Sequence, residues 1–252
     1  MSRLVVEACV ATHIGDRAEQ QDRVALYTHP TRPGIMLAIL ADGMGGHSGG
    51  AMAAEQVLIK AEQNLAEFSP QYESPESLLD SVINEAHIVI KLTRFTSEQD
   101  PHSTAVAFLL QPGQINWAHC GDSRLYRFRD GIPLLRSPDH SLVGELLRKG
   151  RITEAGSLVH PQRNVLLSCL GGERDPWIEY GKLSSPVAGD HFLLCSDGLW
   201  SYFPDEELGE IINTYSAREA ARILVDLARK RAAGYGDNIS LVIIKMAPPS
   251  AE

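Results

Sequence analysis

No stretch of this 252-residue chain approaches the roughly 20 consecutive apolar residues that a membrane-spanning helix requires. Cysteine is scarce: Cys9, Cys120, Cys169 and Cys195 are scattered, none forms a C-x-x-C pair, and most lie within apolar runs. Neither a disulfide framework nor a zinc-binding spacing can be built from them, so buried reduced thiols in a cytoplasmic protein are expected. Basic residues are outnumbered 23 to 32, and the formal net charge of -9 argues against nucleic-acid or polybasic membrane binding. The opening residues, MSRLVVEACVATH, carry Glu7 within their apolar stretch and lead into no long hydrophobic region, so no secretory signal is read there.

Several phosphate-handling signatures are also missing. The glycine-rich stretch ILADGMGGHSGG (residues 39–50) contains no G-x-x-x-x-G-K-[ST], and Gly43, Gly45 and Ser48 break the G-x-G-x-x-G pattern. Cys120 precedes Arg124 by four residues and Cys169 precedes Arg174 by five, so no C-x5-R loop exists. A G-x-S-x-G nucleophile elbow is absent too.

What remains is an ordinary globular composition, with 44% hydrophobic and 22% charged residues. Short apolar runs at Leu4–Ala11, Ile35–Ala41, Ala105–Leu110, Ile115–His119, Leu125–Phe128, His191–Ser196 and Ile239–Lys245 read as strands. Helical periodicity occupies 51–68, then 74–92 with Ser74 as N-cap and Pro75 in the first turn, and 216–234 behind a Ser216-x-x-Glu219 capping box. The basic end of that last helix complements its dipole. Hairpin-like turns at QPGQ and FRDG favour antiparallel sheets with helices packed outside, in a single domain of α+β class. The irregular stretch 141–174 reads as an inserted mobile subdomain.

Four aspartates, Asp42, Asp122, Asp197 and Asp237, stand where apolar strands meet turns, mostly beside Gly or Asn. Any single Asp-Gly is a common turn, but four such placements suggest converging carboxylates, which repel one another unless a multivalent cation lies between them. An all-oxygen donor set suits Mg²⁺ or Mn²⁺. Arg17 and Asp22 in GDRAEQQDRV add a planar cation suited to phosphate and a further carboxylate.

Taken in order, GDRAEQQD, ADGMGGHSGG, STAV, HCGDSRLYRFRDG, SPDHS, HPQRNVLLSCLGG, LLCSDGLW and GDNISLVII closely resemble the metal-dependent protein serine/threonine phosphatases, the type 2C or PPM family, in its short bacterial branch. The likeness runs from about Arg17 to Lys245. It implies a four-layer α-β-β-α sandwich of two antiparallel sheets flanked by helices, with 141–174 as a flap. It also implies two core Mg²⁺ or Mn²⁺ ions and a third, weaker one. Asp42 would bridge the core pair, the Gly43 carbonyl and Asp22 would serve the second ion, and Asp197 and Asp237 would complete the first. Asp122, shared with Asp197, would hold the third, and Arg17 would grip the substrate phosphate. A hydroxide bridging the ions would attack phosphoserine or phosphothreonine in proteins, opposing a Ser/Thr kinase, in a cytoplasmic, monomeric enzyme. His47 and Asn238 are expected to support the ligands.

The chain departs from the family pattern at Gln20-Gln21-Asp22, where Asn-Glu-Asp is usual, and at Met44, where animal relatives carry a histidine. His102-Ser103 replaces Gly-Thr, and Ser168-Cys169 replaces Thr-Arg in the flap. Mid-strand His119 reads as a packed core residue. Two other readings stay open on sequence: a catalytically weak phosphoprotein-binding scaffold, and a small-molecule phosphatase on the same fold.

Overall fold

Residue parity along the apolar strands sets the order of the layers. The computed structural model describes residues 4–93 and 99–249, except for the side chain of His47. In β3 (Met36–Met44), Leu37, Ile39 and Ala41 pack with α1 (His47–Glu67) and α2 (Pro75–Thr93), while Ala38 and Leu40 face the opposite sheet. In β11 (Ile239–Ala247), Leu241 and Ile243 pack with α6 (Asp205–Thr214) and α7 (Ala217–Ala232), while Val242, Ile244 and Met246 point inward. Strands buried on both faces read as unbroken apolar runs, which is why these segments show no polar alternation.

One sheet orders β1 (Val5–His13), β11, β10 (Asp190–Cys195), β7 (Arg124–Arg129) and β8 (Ile132–Arg136). The other orders β2 (Asp22–Thr28), β3, β5 (Ala105–Gln111), β6 (Gln114–Cys120) and β9 (Glu179–Ser184), with the two-residue β4 (His102–Ser103) paired to the end of β3. All pairings are antiparallel. Between the sheets Phe108 and Phe192 meet with ring centroids 4.9 Å apart, both fully buried. The expected four-layer sandwich is the architecture found.

Local chemistry explains several boundaries. Ser74 Oγ accepts from Ser77 N at 3.0 Å, the cap expected for α2. Ser216 Oγ accepts from Glu219 N, but the Glu219 carboxylate receives the serine hydroxyl rather than the backbone N–H of a full capping box. Asp130 and Gly131, with φ of 52° and 78°, form the two-residue turn between β7 and β8. Sequence periodicity does not reveal β2, β4, β8 or β9. The last two are edge strands, and the alternating exposure of β9 leaves too few apolar residues to register.

A fully buried carboxylate ties down the β7–β10 pair. Asp190 accepts from Arg127 and Arg129 at 2.9–3.1 Å and from Val187 N at 2.9 Å. Replacing Asp190 with Ala strips both guanidinium groups of their anion. We expect a loss of about 3 kcal/mol, read as a lower urea midpoint at unchanged slope.

After β8 the chain leaves the sheets. Residues 141–178 carry the short helices α3 (Leu142–Arg148) and α4 (Glu154–Leu158), capped by Ser141 and Thr153, and are otherwise irregular. The segment is fastened at its base, where Leu142 N donates to Val165 O and Leu167 N donates to His140 O, both at 2.8 Å.

Candidate metal centre

Asp22 and Asp42 are direct cross-strand partners in the β2–β3 register. Asp42 continues the inward parity of Ala38 and Leu40, and Asp22 that of Val24 and Leu26, so both carboxyls lie between the sheets. Asp22 also accepts from Ser196 Oγ at 2.7 Å. Asp42 is held from behind. Its N–H donates to Thr104 Oγ1 (3.0 Å), and its carbonyl accepts from Thr104 N (2.9 Å) and Ser103 Oγ (3.2 Å). β3 runs on to Met44 because β4 pairs with Gly43 and Met44, so Asp42 sits within the strand rather than beyond its end.

The other carboxylates come from turns. Asp122 follows β6, and its carbonyl accepts from Trp200 Nε1 at 2.9 Å. Asp197 does not end a strand as its apolar run suggests. β10 stops at Cys195, extended Ser196 forms the N-cap, and Asp197 opens the one-turn helix α5 (Asp197–Trp200). Asp237 lies just before β11. Gly198 lets α5 approach this loop, since a Cβ there would meet Asn238 O at 2.0 Å. Gly43 is equally constrained, with Gly50 O 2.0 Å from its hypothetical Cβ.

The electrostatics follow from this crowding. Burial pushes Asp42 and Asp197 well above the usual carboxylate range, and repulsion from Asp22, Asp122 and Asp237 pushes the same way. Burial raises Asp22 to about 6 against its hydroxyl hydrogen bonds, and raises Asp122 to about 7, aided by Asp139 and opposed by Arg124. Such a group of acidic side chains is unfavourable when ionised and alone. It supplies hard oxygen donors and a concentrated negative charge, and so fits Mg²⁺ or Mn²⁺.

Arg17 Nη2 reaches Asp237 Oδ2 at 2.5 Å, with 60% of the arginine side chain exposed. Arg17, Asp122, Asp197 and Asp237 line one cleft, whose other wall includes Leu147, Leu158, Arg163 and Asn164 of the 141–178 segment. Asn238 braces the loop before β2. Its Oδ1 accepts from Gln21 N at 2.7 Å, and its Nδ2 donates to the carbonyls of Ile14 and Glu19. The supporting role expected of His47 falls outside the described side chains.

Three supports lie in recognised sequence blocks without having been assigned a role there. Thr104 fixes the Asp42 backbone, and its hydroxyl meets Ser123 Oγ at 2.7 Å. Ser196 reaches Asp22. Arg124 forms a bidentate pair with Asp139 at 2.8 and 2.7 Å and lies 3.5 Å over the Trp200 ring, bracing the Asp122 turn. Only a polar residue in an apolar setting could have signalled the first two.

Comparison with known proteins gives the same answer. The serine/threonine phosphatase Stp of Listeria innocua is 33% identical over 217 residues, covering 83% of this chain and 84% of that one. The structure of the Streptococcus agalactiae serine/threonine phosphatase superposes with a TM-score of 0.86 at 28% identity, covering 96% of this chain and 99% of that one. The catalytic domain of the serine/threonine protein phosphatase PstP, solved with two manganese ions, gives 0.81 at 27% identity, covering 97% and 100%. With residues 10–230 also matching the family's own pattern, the chain belongs to the protein phosphatase 2C family.

Proposed function

We propose that this chain hydrolyses phosphoserine and phosphothreonine in proteins, with Asp42, Asp197, Asp237, Asp22 and the Gly43 carbonyl holding two Mg²⁺ or Mn²⁺ ions. The observation that carries the reading is the convergence of Asp22, Asp42, Asp122, Asp197 and Asp237 beside Arg17, in a cleft open to substrate. Divalent ions, when bound, supply an acidified water as nucleophile and positive charge against the phosphoryl oxygens. Asp122 and Asp197 hold a third ion more weakly.

The chain's own residues do the remaining work. Ser196 and Asn238 fix Asp22 and the adjoining loop, and Thr104 fixes Asp42, so the ligands need little rearrangement. Arg17 pairs with Asp237, which raises its already high pKa through that hydrogen bond and charge. Asp237 would hold the ion with the carboxylate that Arg17 pairs with here, and Arg17 would then present its guanidinium fork to a phosphate. Residues 141–174 act as a flap that shapes access from the far wall of the cleft. The acidic, monomeric and cytoplasmic character read from sequence suits an enzyme that reverses a Ser/Thr kinase.

Arg17→Ala is expected to raise KM for a phosphothreonine peptide about tenfold or more while lowering kcat less, because a charge-assisted contact to bound phosphate is lost. Steady-state kinetics with Mn²⁺ check this, and an unchanged KM contradicts the assigned role. Running p-nitrophenyl phosphate beside the peptide separates the substrate classes. A higher kcat/KM for the peptide supports the protein-phosphatase reading, and a strong preference for the small ester replaces it with a small-molecule phosphatase.

A further inference from the structure

Beneath the flap, a second group of donors is gathered that shares no side chain with the carboxylate cluster. His119 near the end of β6, His140 before α3, and Glu179 at the start of β9 each bring one candidate ligand atom within 4.8 Å of the others. The two histidines are 2% and 1% exposed. His119 Nε2 donates to Pro138 O at 2.9 Å, which leaves the Nδ1 lone pair free. Neither that Nδ1 nor His140 Nε2 has a hydrogen-bond partner, although both are buried. Orphaned buried nitrogens are costly, and here two lie in adjacent rings with centroids 4.8 Å apart, His140 Nε2 facing the Glu179 carboxylate at 3.6 Å.

We propose that His119, His140 and Glu179 form a binding site for a borderline-soft divalent cation of the Zn²⁺ class, separate from the carboxylate centre. Two imidazoles and one carboxylate are a known donor set for such an ion, with water completing four-coordination. The His140 Nε2 to Glu179 Oε1 separation of 3.6 Å is close to the roughly 3.3 Å edge of a tetrahedron with ~2.0 Å bonds. Glu179, one-third exposed, gives the ion its way in. Burial lowers the basicity of both rings, His140 to about 4, so both are neutral and competent as ligands at pH 7. Trp177 stacks on His140 at 4.5 Å and screens the site.

The site connects to the reaction cleft through His140. Gly121 N donates to His140 Nδ1 at 3.3 Å, which places the ring proton on Nε2. Ligation through Nε2 moves that proton to Nδ1 and breaks this long hydrogen bond, one residue from Asp122. The carbonyl of His140 also receives the flap N–H groups of Leu167 and Ser168. Filling the site is therefore felt both at the Asp122 turn and at the base of the flap.

Co²⁺ is the probe, because a four-coordinate nitrogen-containing site gives a far stronger visible absorption than an all-oxygen octahedral one. The test uses the full chain carrying Asp42→Asn and Asp197→Asn, so that the carboxylate centre is disabled whatever its function. One equivalent of Co²⁺ is expected to give the intense band, and Zn²⁺ to abolish it by displacement. His119→Gln, which keeps a donor for Pro138 O, and Glu179→Gln on the surface are each expected to lose the band while retaining the parent's circular dichroism. An intense band that survives either folded substitution overturns the site, as does its absence from the parent at millimolar Co²⁺.

Discussion

Asp197→Asn lowers phosphate release at saturating Mn²⁺ by at least about 10³-fold, equivalent to about 4 kcal/mol of transition-state stabilisation. The substitution keeps the shape of the side chain and removes its charge. Asp197 opens α5, where Ser196 and the close Gly198–Asn238 contact fix the backbone independently of the carboxylate. Folding therefore survives while one carboxylate is lost from the proposed centre, where Asp122 and Asp237 lie close enough to repel it. The rate loss should accompany a weaker Mn²⁺ dependence, with half-activation moved to higher concentration. Wild-type turnover by the variant in metal-stripped buffer would remove Asp197 from the centre.

Without divalent cations the protein should lose stability as pH rises from about 4 to about 7. Asp22 and Asp122 bind protons more tightly folded than unfolded, with values near 6 and 7, and Asp42 and Asp197 shift in the same direction. Between the unfolded and folded values the native state holds the extra protons. Raising pH therefore favours unfolding until the folded groups have also ionised. For the two groups with values near 6 and 7, the penalty at neutral pH is on the order of 3–4 kcal/mol each before their coupling is considered.

Saturating Mn²⁺ reverses the trend, since the ion binds the deprotonated ligands and adds about 2.7 kcal/mol at 100 times Kd. Urea melts at pH 4.5 and 7 in EDTA and in Mn²⁺ measure both slopes. Asp42→Asn should flatten the EDTA curve and raise the stability of the metal-free protein at pH 7. A wild-type EDTA curve that rises with pH would show that these carboxylates are not forced together.

The sequence and the structure agree most closely where burial is two-sided. β3, β5, β10 and β11 announce themselves because both faces are buried and most of their residues are apolar, and α2 because Ser74 and Pro75 mark its start. β8 and β9 do not, since an edge strand with one wet face has no comparable composition. The aspartates can be picked out individually at the ends of apolar runs, but their convergence depends on long-range register. Asp22 faces Asp42 only because β2 pairs with β3 in one alignment, and a one-residue slip would turn Asp22 away. Thr104 and Ser196 illustrate the same limit. Nothing about a lone hydroxyl in a strand-rich segment says that it holds a ligand's backbone or carboxylate.

His119 is the sharpest difference between a residue's sequence reading and its setting. An isolated histidine in an apolar strand is most simply a packed residue, and it is packed. Its second nitrogen becomes meaningful only when His140 and Glu179, distant in sequence, arrive beside it. The His/Cys spacing rules operate along the sequence, and this cluster is assembled across it.

The most direct test of the central claim is release of inorganic phosphate from a phosphothreonine peptide in Mn²⁺, Mg²⁺ or EDTA, with folded Asp42→Asn alongside. Asp42 accepts and donates hydrogen bonds through its backbone, which the substitution leaves in place, so the variant isolates the carboxylate. Release is expected with Mn²⁺ or Mg²⁺ and not in EDTA, and the metal-dependent activity is expected to be lost in the variant. Equal release in EDTA, or no release by folded wild-type protein with either metal, would contradict the claim and leave the fold serving a different task.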